Sequence, residues 1–178
     1  MTLLEKLEMT LDDSLNKKAP FTLSEANRKS LAAAMWWLAL VGGVLQVWLA
    51  WGFWHIGHLV NTYVDYANSI SMMYGNGTTV NHLSFFYYLT LVTVAVSAVL
   101  MLLAAPNLKA MRKQGWNLLF YSLLVNLAFG VVRLFSGYGS IVTLFGVLVS
   151  SVVGAYLLFQ VREYFMKSVA AHNKAKAK

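Results

Sequence analysis

His55 and His58 stand three residues apart, a spacing that puts both imidazoles on one face of a helix, and His82 precedes the next apolar run. Two imidazoles at that spacing, with a third from a neighbouring segment, suit a divalent metal, so His55, His58 and His82 are candidate ligands. They sit near the end of an apolar run and not at mid-depth on facing helices, where a haem would need them, and no cofactor is expected. Arg133 lies just inside another apolar run, a costly position for an unpartnered guanidinium. Asp65 is the only carboxylate between Glu25 and Glu163, so an Asp65–Arg133 ion pair is expected to hold the intervening loop, with snorkelling of Arg133 toward water as the bland alternative.

No Asp or Glu lies inside any apolar run, which removes the carboxylate that a proton-coupled exporter would use. No Ser/His/Asp set shares one depth, no glycine-rich phosphate loop follows a strand, and no metalloprotease motif occurs. The absence of cysteine excludes disulfides, thiolate metal sites and thiol redox chemistry. Chemistry-bearing residues are too few and too dispersed for catalysis, and the chain is expected not to be an enzyme.

The elements that position these residues are apolar and long. Of 178 residues 58% are hydrophobic and 12% charged, against about 25% charged in globular domains. Leu31 to Trp54 is an uncharged run of 24 residues, which as a helix spans about 36 Å and crosses a hydrocarbon core of about 30 Å. Trp36 and Trp37 toward one end and Trp48, Trp51 and Trp54 toward the other resemble interfacial belts. Spans are expected at about 31–58, 85–105, 116–135 and 141–161. The fold class is therefore all-α: a polytopic membrane protein with a four-helix transmembrane bundle over 30–165, an amphipathic N-terminal helix and linker over 1–29, and a basic tail over 166–178.

Charge placement orients the spans. With both termini on one side, all Lys and Arg residues except Arg133 share that side, so the expected location is the inner membrane with both termini cytoplasmic. The net charge of +7 then needs no nucleic acid partner. Lys109, Arg112 and Lys113, at i, i+3 and i+4 in the most basic loop, are expected to meet anionic lipid headgroups from a short interfacial helix.

Leu3, Leu7, Leu11 and Leu15 repeat at i, i+4 and predict a short helix that docks either on the bilayer or on a protein. No signal peptide is expected, because a polar stretch precedes the first apolar run. Pro20 ends the N-terminal helix, and Thr22 with Glu25 forms a capping box for the next. That helix is expected to run a turn or two past His55 before a polar loop over 61–84, in which Asn76-Gly77-Thr78 is a turn. Pro106 is expected to close the second span, and residues 136–140 to form a hairpin between the third and fourth.

Small residues mark packing faces. Gly43 and Gln46 belong to one face of the first span, and Gly146, Ser150 and Gly154 recur every four residues in the last, a pattern that lets another backbone approach within the bundle or from a second copy. Gln46, Thr93, Asn126 and Ser150 are the polar side chains that a solute path would have to bring together.

At AAPNLKAMRKQGWNLLFYS (104–122) and YLLFQVREYF (156–165) the sequence resembles small four-span bacterial inner-membrane proteins that carry no established activity. The matching features are Pro106, the basic turn of Lys109, Arg112 and Lys113, Gly115 to Phe120, and Phe159, Gln160 and Arg162. The resemblance implies the same four-span layout in a bacterial cytoplasmic membrane. Three functions follow as expectations. The first is a non-enzymatic protein that works by association, with its own copies or with another membrane protein. The second is a component of small-solute transport or a channel, and the third a histidine-based metal or redox protein.

Overall fold

The computed structural model describes residues 3–17, 22–75, 77, 79–134 and 141–166. Among them the chain is all-α, built from α1 (Leu3–Asp12), α2 (Glu25–Met73), α3 (Phe85–Lys109), α4 (Lys113–Leu134) and α5 (Ile141–Gln160), with no strand. Helices α2, α3 and α4 are long and apolar enough to cross a membrane. The hairpin expected at 136–140 and the tail from 167 lie outside the described residues.

Helix α2 starts at Ser24 and not at the expected Thr22–Glu25 box. The Ser24 side chain accepts from the Asn27 N–H at 3.3 Å, which leaves Glu25 as the first helical residue, where its charge favours the helix dipole. The helix then runs for 49 residues, about 74 Å at the usual rise. The polar loop expected from Asn61 is therefore corrected: it begins only after Met73. No Gly or Pro interrupts 58–73, and Thr62 and Ser69 satisfy their hydroxyls on the carbonyls of His58 and Asp65, one turn back, at 3.0 and 2.8 Å.

Pro106, expected to end the second span, sits inside the last turn of α3. The helix closes beyond it by a two-bond αL cap: Arg112 N–H donates to Asn107 O and Met111 N–H to Leu108 O, both at 2.9 Å, with Met111 at φ 51°. This cap turns the chain directly into α4 and replaces the expected interfacial helix. Lys109, Arg112 and Lys113 are nonetheless exposed at one turn, with Lys109 Nζ 4.9 Å above the Trp36 ring.

Consecutive helices pack antiparallel, α2 on α3, α3 on α4 and α4 on α5. The buried core gathers at the end that holds the α3–α4 turn. Trp116, Phe120 and Phe159 form an aromatic cluster with centroids 5.3–5.7 Å apart, and Ala32, Met35, Ala104, Leu108 and Phe165 complete it. Trp116 Nε1 donates to Leu158 O at 2.9 Å, so the buried indole loses no hydrogen bond.

Helix α1 docks on this core. Leu11 and Leu15 pack against it, and the turn of π-helix Asp13–Lys17 carries the chain onward. Buried Gln160 ties both ends of the linker, its Nε2 donating to Leu15 O at 3.2 Å and its Oε1 accepting from Leu23 N–H at 3.4 Å. Arg162 donates to Glu8 Oε1 at 2.6 Å and to Asp12 Oδ2 at 3.3 Å, with its guanidinium over the Trp116 ring. Of the leucine stripe, Leu11 and Leu15 meet the protein's own core, while Leu7 stays exposed.

Away from the core the helices keep an apolar exterior. Trp48 and Trp51 are 71% and 65% exposed, and Val92, Val96, Val99, Val152 and Val153 are exposed as well.

Candidate functional site

Small residues bring the backbones together and thereby shape the spaces between them. A Cβ on Gly43 would fall 2.8 Å from Leu102 Cγ, and one on Gly57 would fall 2.7 Å from the Tyr87 ring, which fixes α2 against α3. A Cβ on Gly130 would run into Val147 Cγ1, which does the same for α4 and α5. Between α3 and α4 the contact is polar. Buried Ser97 and Ser122 hydroxyls lie 2.6 Å apart, and Asn126 Nδ2 donates to Ser97 Oγ at 2.8 Å and to Ser122 O at 2.7 Å.

Helices α2 and α5 form the two walls of a groove whose floor is α3 and α4. It holds an open cavity of about 340 Å³. Toward the aromatic core the cavity is lined by Met35, Leu38, Leu119 and Leu157, and farther along by Gln46, Ser122, Asn126, Ser150 and Ser151. Three of the four side chains that a solute path requires, Gln46, Asn126 and Ser150, thus share one space. Thr93 does not join them, being buried in α3 with its hydroxyl on Leu89 O at 2.8 Å.

The polar part of the groove carries no charge, and the buried polar atom in it that lacks a partner is an acceptor. Gln46 Oε1 is buried with no hydrogen-bond partner. Both Asn126 amide protons are spent on Ser97 and Ser122, so its Oδ1 is the remaining group, and the Ser150 hydroxyl proton goes to Val147 O at 3.0 Å. An uncharged lining with one unpartnered buried carbonyl matches the chemistry of a neutral, mostly apolar molecule with a hydrogen-bond donor. Its size and place between helices are those of small-molecule sites.

Gly146, Ser150 and Gly154, expected as one packing face, divide. Gly154 touches Leu123 and lines the groove with Ser150, whereas a Cβ on Gly146 would meet nothing within 4 Å.

At the other end of α2 the structure separates the histidines. His55 stacks near Trp51, and His58 lines a small cavity with Asn61 and Tyr88. His82 Nε2 lies 2.8 Å from Asp65 Oδ1. Because α2 continues as helix, Asp65 is carried about 10 Å past His58, and His82 goes with it. Among the described residues no three His, Asp or Glu side chains gather to hold a metal ion. The ion pair recorded for Asp65 is with His82, not with the expected Arg133, which lines a cavity beside His82.

Asp65 belongs to a stripe that sequence reasoning missed. Asn61, Asp65 and Asn68, at i, i+4 and i+7, all hold the segment that returns to α3. Asn61 Oδ1 accepts from Leu83 N–H at 3.0 Å and its Nδ2 donates to the Tyr88 hydroxyl at 2.7 Å, while Asn68 holds the Val80 backbone. The Tyr87 hydroxyl donates to Phe53 O below this strap. The helical spacing of three short polar side chains in a presumed loop was the available signal.

No family model, curated protein or solved structure matches the chain.

Proposed function

We propose that this is a non-enzymatic, four-span protein of the bacterial inner membrane, with both termini cytoplasmic, that binds a small hydrogen-bond-donating apolar molecule from the bilayer as a component of small-solute handling. Support for the membrane setting comes from three helices of spanning length and an apolar exterior. The apolar α5 supplies the fourth span, and the lone Arg133 among the basic residues sets the orientation. The observation that carries the function is Gln46, buried without a partner for Oε1 in a cavity shared with Asn126 and Ser150.

An orphaned buried carbonyl destabilises the empty protein and is satisfied when a donor enters. In delipidated, detergent-solubilised protein, a medium-chain alcohol is expected to raise the melting temperature of the wild type, while the alkane of equal length does not. Gln46→Leu is expected to melt at or above the wild-type temperature and to lose the preference for the alcohol. An equal response of wild type and variant to alcohol and alkane would refute the assignment.

Association through α5 is favoured separately by Gly146, which has open space around its Cβ position beside the exposed Phe145 and Val149. Packing of a second copy on that face would leave the groove's polar floor untouched. Proximity of α5 helices from two copies in vesicles is the observation that would establish it.

A further inference from the structure

Helix α2 outlasts its neighbour. Helix α3 begins at Phe85 and the Tyr87 ring lies against Gly57, so α2 continues for about 24 Å past that contact to its end at Met73. Asn61, Asp65 and Asn68 turn one face of this extension to the strap. About half a turn round the helix from them stand Leu59, Tyr63, Tyr66, Ile70 and Met73, all exposed, with both tyrosines at 66%. An apolar stripe of this length beyond the span marks an interaction surface.

The stripe is the outer end of a longer one. Leu45, Leu49, Gly52 and Ile56 carry it back into the apolar run, and from Leu45 to Met73 the steps alternate strictly between four and three residues. A seven-residue repeat sustained in this way is the seam of a left-handed coiled coil, because on a lone straight helix it drifts off one face. Leu45, Leu49 and Ile56 are exposed, and a Cβ on Gly52 would meet nothing within 4 Å, so among the described residues the chain leaves its own seam open.

We propose that the α2 helix of a second copy covers this seam, in a parallel two-fold pair. Lipid tails suffice for the stripe as far as Ile56 but not for Tyr63 to Met73, which stand beyond the span. A helix of the same length and direction covers both parts, and copies of one chain inserted in one orientation supply it. Ile56 and Ile70 take one seam position and Leu45 and Leu59 the other, the arrangement that favours two strands. No charge opposes self-pairing: Asp65 is the only Asp, Glu, Lys or Arg between Lys29 and Lys109, and it is turned to His82. At about 150–250 Å² per aromatic side chain, the exposed parts of the four tyrosines in a pair bury about 400–650 Å², and the aliphatic residues take the seam past the roughly 1,000 Å² of a specific interface. No seam residue lines the groove, and none belongs to α5.

The chain has no cysteine, so single cysteines report contacts between copies without background. In membrane vesicles holding the full chain, with an added oxidant, Tyr66→Cys, Ile70→Cys and Met73→Cys are expected to give several-fold more disulfide-linked dimer than Ala67→Cys and Met72→Cys, which are exposed at the same height but off the seam. A parallel two-fold pair sets each seam residue opposite its own counterpart, which random encounter does not. Adding Tyr63→Asp to Met73→Cys places like charges in the seam and should abolish the linked dimer, while the melting temperature of the monomer in detergent keeps its wild-type value because the Tyr63 side chain is exposed. Should that variant fold poorly, the cysteine profile stands alone. A flat profile would mean that headgroups cover the stripe, and dimer at Val149→Cys with none on α2 would move the pairing to α5. Either result would overturn the proposal, as would undiminished linking in a folded Tyr63→Asp variant.

Discussion

Asn68 and Val80 are joined by a ring of two hydrogen bonds: the amide Nδ2 donates to Val80 O at 3.0 Å, and Oδ1 accepts from Val80 N–H at 2.7 Å. A side-chain amide here mimics a strand partner, and it secures a return segment that has no regular structure of its own. The strap depends on α2 remaining helical to Met73, since only that places Asn61, Asp65 and Asn68 in line.

Removing this ring should loosen the strap without melting the helices. Asn68→Ala is expected to cost about 1–2 kcal/mol locally. Hydrogen exchange at 79–84 should quicken, while exchange in α4 stays unchanged.

Arg162 fastens α1 to the core through Glu8 and Asp12. The side chains are 24%, 17% and 19% exposed, so the pair is screened only in part, and Arg162→Ala should destabilise α1 docking by about 2 kcal/mol. Limited proteolysis after Lys6 is the readout, with faster cleavage expected. Arg162→Lys should recover part of the protection, because it keeps the charge but not the fork or the stacking on Trp116.

Two glycines should respond in opposite ways to enlargement. Gly43→Leu drives a Cβ to within 2.8 Å of Leu102 and is expected to cost about 1–3 kcal/mol, partly recovered by Leu102→Ala. Gly146→Leu meets open space and should leave the melting temperature of the monomer unchanged. If copies associate through α5, it should weaken their cross-linking in vesicles.

The long apolar helices α2, α3 and α4 were legible because an extended uncharged run satisfies its backbone polar groups as helix, and the polar residues of the groove because a Gln or Asn inside such a run needs a partner. The extension of α2 was not, since Asn61, Asp65 and Asn68 have low helix propensity and find their partners Leu83, His82 and Val80 well along the chain, so that their i, i+4, i+7 spacing was the one local mark. Gln160 and Arg162 stood out in the sequence, but their partners lie near the N-terminus: Leu15 and Leu23 for the amide, Glu8 and Asp12 for the guanidinium. Pro106 misled because its ring falls in the last turn, where the αL cap closes the helix beyond it. His55, His58 and His82 share a region of sequence but not a place, for the helix that carries the first two also carries the third's partner outward.

Native mass spectrometry of the full chain released from bacterial-lipid nanodiscs tests the groove most directly. A discrete small-molecule adduct, neutral and donor-bearing, is expected on the wild type and strongly depleted on Gln46→Leu, while phosphatidylglycerol adducts persist equally on both. Wild-type protein without such an adduct, or Gln46→Leu retaining it at wild-type level, would contradict the assignment of the groove as a binding site.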